Sequence, residues 1–215
     1  MSLATLLLLA DGRLPSGGHA HSGGLEPQIA AGRVRDIGGL DGFLRGKLAT
    51  SGLVSAAFAA AACADVGRAA ELDAGLDART PSPALRKASR AQGRALLRAG
   101  RAMWRLSALP SREPHQPVAL GALASAAGLT PGDAAIATAH GMVTGSASAA
   151  VRLLGLDPYA VHALLARLAP ECDRIAAVAA QRSGDPVDDL PAAGAPLLDI
   201  GAEHHATWEV RLFAS

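Results

Sequence analysis

Aromatic side chains are almost missing from this sequence: three Phe, two Trp and one Tyr in 215 residues. β-Sandwiches and barrels draw on aromatic and β-branched residues, so the shortage counts against an all-β fold. Cysteine is scarce too. Cys63 and Cys172 stand alone, with no C-x-x-C pair, which excludes a zinc ribbon or a thioredoxin-type redox motif. They read as buried small hydrophobes rather than a disulfide framework, in keeping with a reducing cytoplasm. An excess of either charge is also lacking. Twenty basic and nineteen acidic side chains leave a formal net charge of +1, so nothing global points to nucleic acid or an anionic membrane. The apolar start, Met1 to Ala10, has no Lys or Arg ahead of it, and a secretory leader is not expected. Three uncharged runs approach the length of a membrane span: Leu48–Ala64, Pro114–Gly132 and Ala134–Val151. All are rich in Ala, Gly, Ser and Thr rather than Leu, Ile and Phe, and are expected as buried helices of a soluble protein.

Recognisable catalytic signatures are absent as well. Gly42-Phe43-Leu44-Arg45-Gly46-Lys47-Leu48 only approaches a nucleotide-binding loop. It has three residues between its glycines instead of four, and Leu48 where a magnesium-binding hydroxyl belongs. There is no G-x-G-x-x-G, no G-x-S-x-G and no H-E-x-x-H. A helical enzyme with an unannounced site stays open on these residues alone.

What the chain has in abundance is alanine, 50 residues of 215, in a sequence that is half hydrophobic. Alanine is the strongest helix former and fits narrow gaps between helices. The expectation is an all-α, single-domain multi-helix bundle over residues 1–201, followed by a mobile C-terminal tail, 202–215.

Local signals place the helices. Residues 3–10 form a short first helix, and Asp11 to Gly24 is a Gly-rich loop. A helix over Leu25–Ala31 stops at Gly32. Asp36–Gly67 reads as one broken or two consecutive helices, weakened by Gly42, Gly46 and Gly52. Ser82-Pro83 starts a helix that runs to about Leu106. Pro110–Pro117 is a linker. Thr130 and Asp133 have capping-box spacing ahead of a helix reaching about Leu154. Asp157-Pro158 starts another, which Pro170 should kink or interrupt before Gln181. Ser183–Gly201 reads as an exposed loop.

Two histidine pairs, His19 and His21 in the Gly-rich loop and His204 and His205 near the C-terminus, are the candidates for a metal. Neither has a third ligand at a fixed local spacing, so no metal site is assigned. The helix from Ser82 carries a basic stripe. At 100° per residue, Arg86, Lys87, Arg90, Arg94, Arg98, Arg101 and Arg105 share an arc of about 120°. No acidic residue lies between Ser82 and Arg112 to neutralise it. The stripe is a solvated face, a contact for an acidic protein surface with Arg94 and Arg98 central, or a nucleic-acid contact. Gly93 and Gly100 lie one face over, where another helix could approach closely.

The most specific stretch is Leu6 to Val34. It reads Leu14-Pro15-x-Gly17-Gly18, then Ser22-Gly23-Gly24-Leu25-Glu26, then Ala31-Gly32-x-Val34. Paired glycines permit positive φ or close backbone approach. Ser22 can cap the helix after it, and Glu26 puts negative charge in a first helical turn. This pattern resembles the UreF family of urease accessory proteins. So do Val151-Arg152-Leu153 with Leu164-Leu165, and the ending Arg211-Leu212-Phe213-x-Ser215. The chain departs from the family pattern at His19 and His21, where aromatics are usual, and at Glu209 and Ala214 in the tail.

The resemblance implies an all-helical, usually dimeric, non-enzymatic cytoplasmic chaperone. Its partners would be the accessory protein UreD (also called UreH), the GTPase UreG and apo-urease. It would bridge UreD and UreG during GTP-dependent nickel insertion, with Ni²⁺ in transit and no resident cofactor. Nucleic acid and membrane would not be partners. Arg211, Leu212, Phe213 and Ser215 would dock on UreD, ordering as they bind, with Ser22 and Glu26 also contributing to partner binding. Leu14, Pro15, Gly17, Gly18, Gly24 and Leu25 would shape the motif. The alternative is a helical regulatory or nucleic-acid-binding protein that uses the Arg86–Arg105 stripe.

Overall fold

The computed structural model describes residues 2–107 and 109–215. Those residues form an all-α bundle with no strand among them. The helices are α1 (Leu3–Ala10), α2 (Leu25–Ala30), α3 (Ile37–Lys47), α4 (Leu53–Ala64), α5 (Ala69–Arg79), α6 (Pro83–Met103), α7 (Gln116–Ala126), α8 (Pro131–Leu154), α9 (Pro158–Gln181) and α10 (Pro196–Ala206).

The bundle is built around α4. Nine of its twelve residues are buried, six of them alanines, and a helix that is apolar all round belongs in a core. Each of its faces feeds a different cluster. Ala56, Ala57 and Ala60 pack with Leu40, Leu44, Val143, Leu164, Leu168 and Ile175 from α3, α8 and α9, and with Leu48 just after α3. Ala59 and Cys63 pack with Leu9, Leu96, Leu97 and Leu123 from α1, α6 and α7. Phe58 packs with Leu72, Leu76, Val118 and Leu190. Small side chains let the neighbours come close. A Cβ at Gly121 of α7 would stand 2.7 Å from the Ala62 Cβ of α4, and one at Gly100 of α6 would stand 2.7–2.9 Å from Leu123. Gly93 meets the backbone of Pro114 just ahead of α7. The close approach expected at Gly93 and Gly100 is therefore present, with α7 and its lead-in as the neighbour.

The Asp36–Gly67 region is one continuous rod broken in character but not in course. A π turn, Leu48–Gly52, joins α3 to α4. A Cβ at Gly52 would lie 2.9 Å from the Lys47 carbonyl oxygen, so the wide turn needs glycine there. The rod, Ile37–Ala64, is long and apolar enough to cross a membrane, but 67% of its most apolar window is buried inside the protein. The three uncharged runs are likewise mostly core: eight of the eleven α7 residues are buried.

Capping follows the sequence closely. Ser82 Oγ accepts from Leu85 N, and Pro83 opens α6. Thr130 and Asp133 cap α8 reciprocally, and Gly155 closes it with φ +63°. Asp157 accepts from the backbone of Tyr159 and Ala160 at the start of α9. The free, buried thiols of Cys63 and Cys172 match the reading of both as core residues; burial pushes each up to about 11.

Several local expectations are corrected. Pro170 does not interrupt α9. It and Ala166, four residues earlier, are exposed, so water can take the carbonyl the proline leaves unpaired. The helix from Ser82 ends at Met103, with Trp104 extended, so Arg105 lies beyond it. The second half of the expected 183–201 loop is helical: α10 begins at Pro196 and runs across the 201/202 boundary. Helix α5 has no counterpart among the expected helices.

Candidate docking site

The segment after the Gly-rich loop, 20–26, meets the C-terminal segment, 212–215, on one side of the bundle. Gly23 and Gly24, at φ +64° and +86°, turn the chain sharply after Ser22 and start α2 at Leu25, which is fully buried. Ser22 Oγ accepts from Glu26 N in the first turn of α2, although Gly24, not Ser22, is the N-cap residue. Leu14 is buried, Pro15 is exposed, and Gly17 takes φ +73° ahead of a short 3₁₀ turn that begins at Gly18.

This turn places the Glu26 carboxylate, 7% exposed, beneath the C-terminal segment. Oε1 accepts from Leu212 N at 2.9 Å, and Oε2 accepts from Phe213 N at 3.1 Å. His205 Nε2 lies 2.9 Å from Oε2. A carboxylate only accepts, so the proton sits on Nε2 of His205. The Trp208 ring packs edge-on over that imidazole at 4.8 Å.

The remaining contacts tie 20–22 to 214–215. Ser22 donates from both N and Oγ to the Ser215 carbonyl oxygen, at 2.6 and 2.7 Å. Ala214 N donates to Ala20 O, and His21 Nδ1 meets Ser215 Oγ, each at 2.7 Å. Arg152 of α8 stacks its guanidinium 4.4 Å from the Phe213 ring centre and donates to His19 O.

Below this clasp lies Lys47. Its ammonium, with the residue 7% exposed, donates to Gly23 O and to Ser146 Oγ, both at 2.8 Å, and Ser146 in turn donates to Ser22 O. Burial pushes Lys47 down to about 8. The chain of contacts thus runs from α3 through α8 to the clasp.

Several expected site residues take different places. Ser22 and Glu26, expected at a partner surface, are buried and hold this chain's own C-terminal segment. Phe213, expected as an anchor that becomes buried on binding, is already 4% exposed in the core beside Leu25 and Val34. Arg211 and Leu212 are exposed, as are Val210, Leu197 and Ile200. Residues 207–215 carry no helix, yet the backbone and side chains of 212–215 and 20–26 are bonded to one another rather than unattached. The histidines do not converge: His21 binds Ser215, His205 binds Glu26, His204 Nδ1 accepts from Trp208 Nε1, and His19 is exposed. No group of three or more metal-ligating side chains occurs among the described residues.

Sequence reasoning missed Lys47, Ser146, Arg152 as a clamp, and a second polar network. His115, fully enclosed between α5 and α6, has Nε2 2.9 Å from Asp77 and Nδ1 3.0 Å from Ser89 Oγ, while its N–H donates to Asp73. The same two aspartates take the basic stripe's first half. Arg90 binds Asp73 and Asp77 at 2.8 and 2.7 Å, Arg86 lies 3.8 Å from Asp77, and Arg94 pairs with Glu113. The stripe lacks acids within its own helix but receives them from α5 and from the lead-in to α7.

Comparison with known proteins places the chain in a family. A model of the UreF family matches residues 34–169. A urease accessory protein UreF of Mycobacterium sp. (strain JLS) is 49% identical over 217 residues, covering 100% of this chain and 99% of the relative. One of Mycolicibacterium vanbaalenii is 46% identical over 224 residues, and one of Mycobacterium tuberculosis H37Rv is 42% identical over 216, with the same coverage. The clasp segments, 20–26 and 205–215, lie outside the stretch matched by the family model but inside the alignment to these relatives. The chain belongs to the UreF family of non-catalytic urease accessory proteins.

Proposed function

We propose that this protein is a scaffold for urease maturation, bridging UreD (UreH) and the GTPase UreG on apo-urease while nickel is delivered in a GTP-dependent step. The observation that carries the reading is the clasp. Glu26 and Ser22 fix the backbone of 212–215 and Arg152 stacks on the Phe213 ring, while Arg211, Leu212 and Val210 point outward. Leu197 and Ile200 of α10, which also packs on α2, expose further apolar surface. Exposed apolar groups around a rigidly held backbone suit a protein partner. Arg211, Leu212 and Ser215 belong to the UreD-facing segment, and Ser22, Glu26 and Phe213 act by holding it. Nickel is cargo of the complex, the protein works in the cytoplasm, and it acts as a homodimer.

The test is a reconstituted activation with apo-urease, UreD, UreG, GTP and Ni²⁺. Urease activity should depend on adding this chain. Glu26→Ala should lower activation more than it lowers the chain's helicity. Equal activity with and without the chain contradicts the reading.

A further inference from the structure

The basic stripe of α6 divides into two halves with different chemistry. In the first, Arg86 and Arg90 are spent on Asp77, Asp73 and the carbonyls of Thr80, Pro81 and Glu113. In the second, Arg98, Arg101 and Arg105 are exposed and have no ion pair or hydrogen-bond partner for their guanidinium groups among the described residues. Helix α7, packed on α6, carries no charged residue at all. Arg94 joins the two halves. Its pair with Glu113 is exposed on both sides, 59% and 50%, and so exposed a pair is weak, so an incoming carboxylate can displace it. Beside this row lies a cleft of about 180 Å³, lined by Leu97, Leu106, Leu109 and Arg105 among others. That is well below the roughly 300–1,000 Å³ of small-molecule pockets but takes one side chain, and the surface it presents is mainly polar, with Ser107 and Ser125 beside Arg105.

The geometry points to a docking surface for an acidic amphipathic helix of a partner protein, along Arg94, Arg98 and Arg101 with Arg105 at the cleft. Arg94, Arg98 and Arg101 stand four and three residues apart, about 6 and 4.5 Å along the helix axis. Carboxylates at i, i+4 and i+7 on a facing helix repeat that spacing, and one side chain beside them would enter the cleft. Nucleic acid fits less well. Strong phosphate binding draws on about six to ten cations, and this row has four, while its neighbour Trp104 packs partly against the core. The surface is distinct from the clasp and deepens the scaffold reading, on which it rests for the supposition of a protein partner.

Fluorescence anisotropy with a labelled acidic helical peptide of about 18 residues, carrying Glu at i, i+4 and i+7 and one Leu, tests it on the full chain. Arg98→Glu with Arg101→Glu should weaken binding at least about tenfold, and added salt should weaken the wild type. Lys87→Glu, an exposed change in the first half, away from the row, should leave binding within about twofold of the wild type. Equal weakening by Lys87→Glu overturns the surface, as does tighter binding of a short DNA duplex that the double variant abolishes. The same variants are then titrated with UreD, UreG and apo-urease. If the wild type binds none of the three while the peptide result holds, the scaffold reading fails and the surface stands. If the double variant binds both peptide and partners as the wild type does, the surface fails and the scaffold reading stands.

Discussion

Two buried charges set the conduct of the clasp, and they are satisfied in opposite ways. Glu26 receives two backbone N–H donors and an imidazole N–H, which together offset the cost of taking a carboxylate out of water. Lys47 has no carboxylate within hydrogen-bonding reach. It leans on one carbonyl, one hydroxyl and the Phe43 ring at 5.9 Å, so burial wins and the ammonium loses its proton more easily. A base whose folded pKa is depressed penalises the folded state while it is charged. Between about 8 and 10.5 the unfolded chain holds the Lys47 proton and the folded chain has lost it, so stability rises with pH through that window. The two thiols, pushed up to about 11, act in the reverse sense at the alkaline end, so the contribution of Lys47 is isolated by comparison with Lys47→Met. Urea unfolding from pH 7.5 to 10 should show the wild type gaining on the variant by up to about 3 kcal/mol as pH rises. A constant difference would mean that Lys47 is hydrated in the folded protein.

At the scale of elements, the close contact of α4 with α7 is the most exacting. Gly121→Val adds side-chain bulk where even a Cβ meets Ala62 and the backbone of Cys63, and overpacking of this kind costs about 1–3 kcal/mol. Thermal unfolding should show that loss with little change in helical content; an unchanged midpoint would mean that α4 and α7 stand further apart. The elements legible in the sequence are those with local punctuation: Ser82-Pro83, Thr130 with Asp133, and Asp157-Pro158 each mark a helix start by chemistry within four residues. Helix α5 is not legible because its sequence has almost no apolar periodicity and carries Gly75 in its middle, a glycine required by Phe58 and Val187 across the interface. Helix α10 is hidden by a run rich in Pro, Gly and Asp just ahead of it. The site is half legible. Ser22, Glu26 and Phe213 stand out by pattern. That they bind one another across nearly the whole chain is a long-range fact with no local signature, and the same holds for the acids of α5 that neutralise Arg86 and Arg90.

At the scale of the whole molecule, the N-terminal turn and the C-terminal segment are a single unit. It is braced from α3 and α8 by Lys47, Ser146 and Arg152, and its outward face is made of Val210, Arg211 and Leu212. Phe213, Ser22 and Glu26 serve that face from below. Removing residues 207–215 would take the face away while leaving α10 intact, which a cut after Gly201 would not do. The most direct measurement is size-exclusion chromatography with light scattering on this protein mixed with UreD, comparing the full chain with a chain ending at Ala206. A docking face of this kind predicts a stable complex for the full chain and none for the shortened one, both remaining helical. A shortened chain that binds UreD as tightly as the full chain would contradict it.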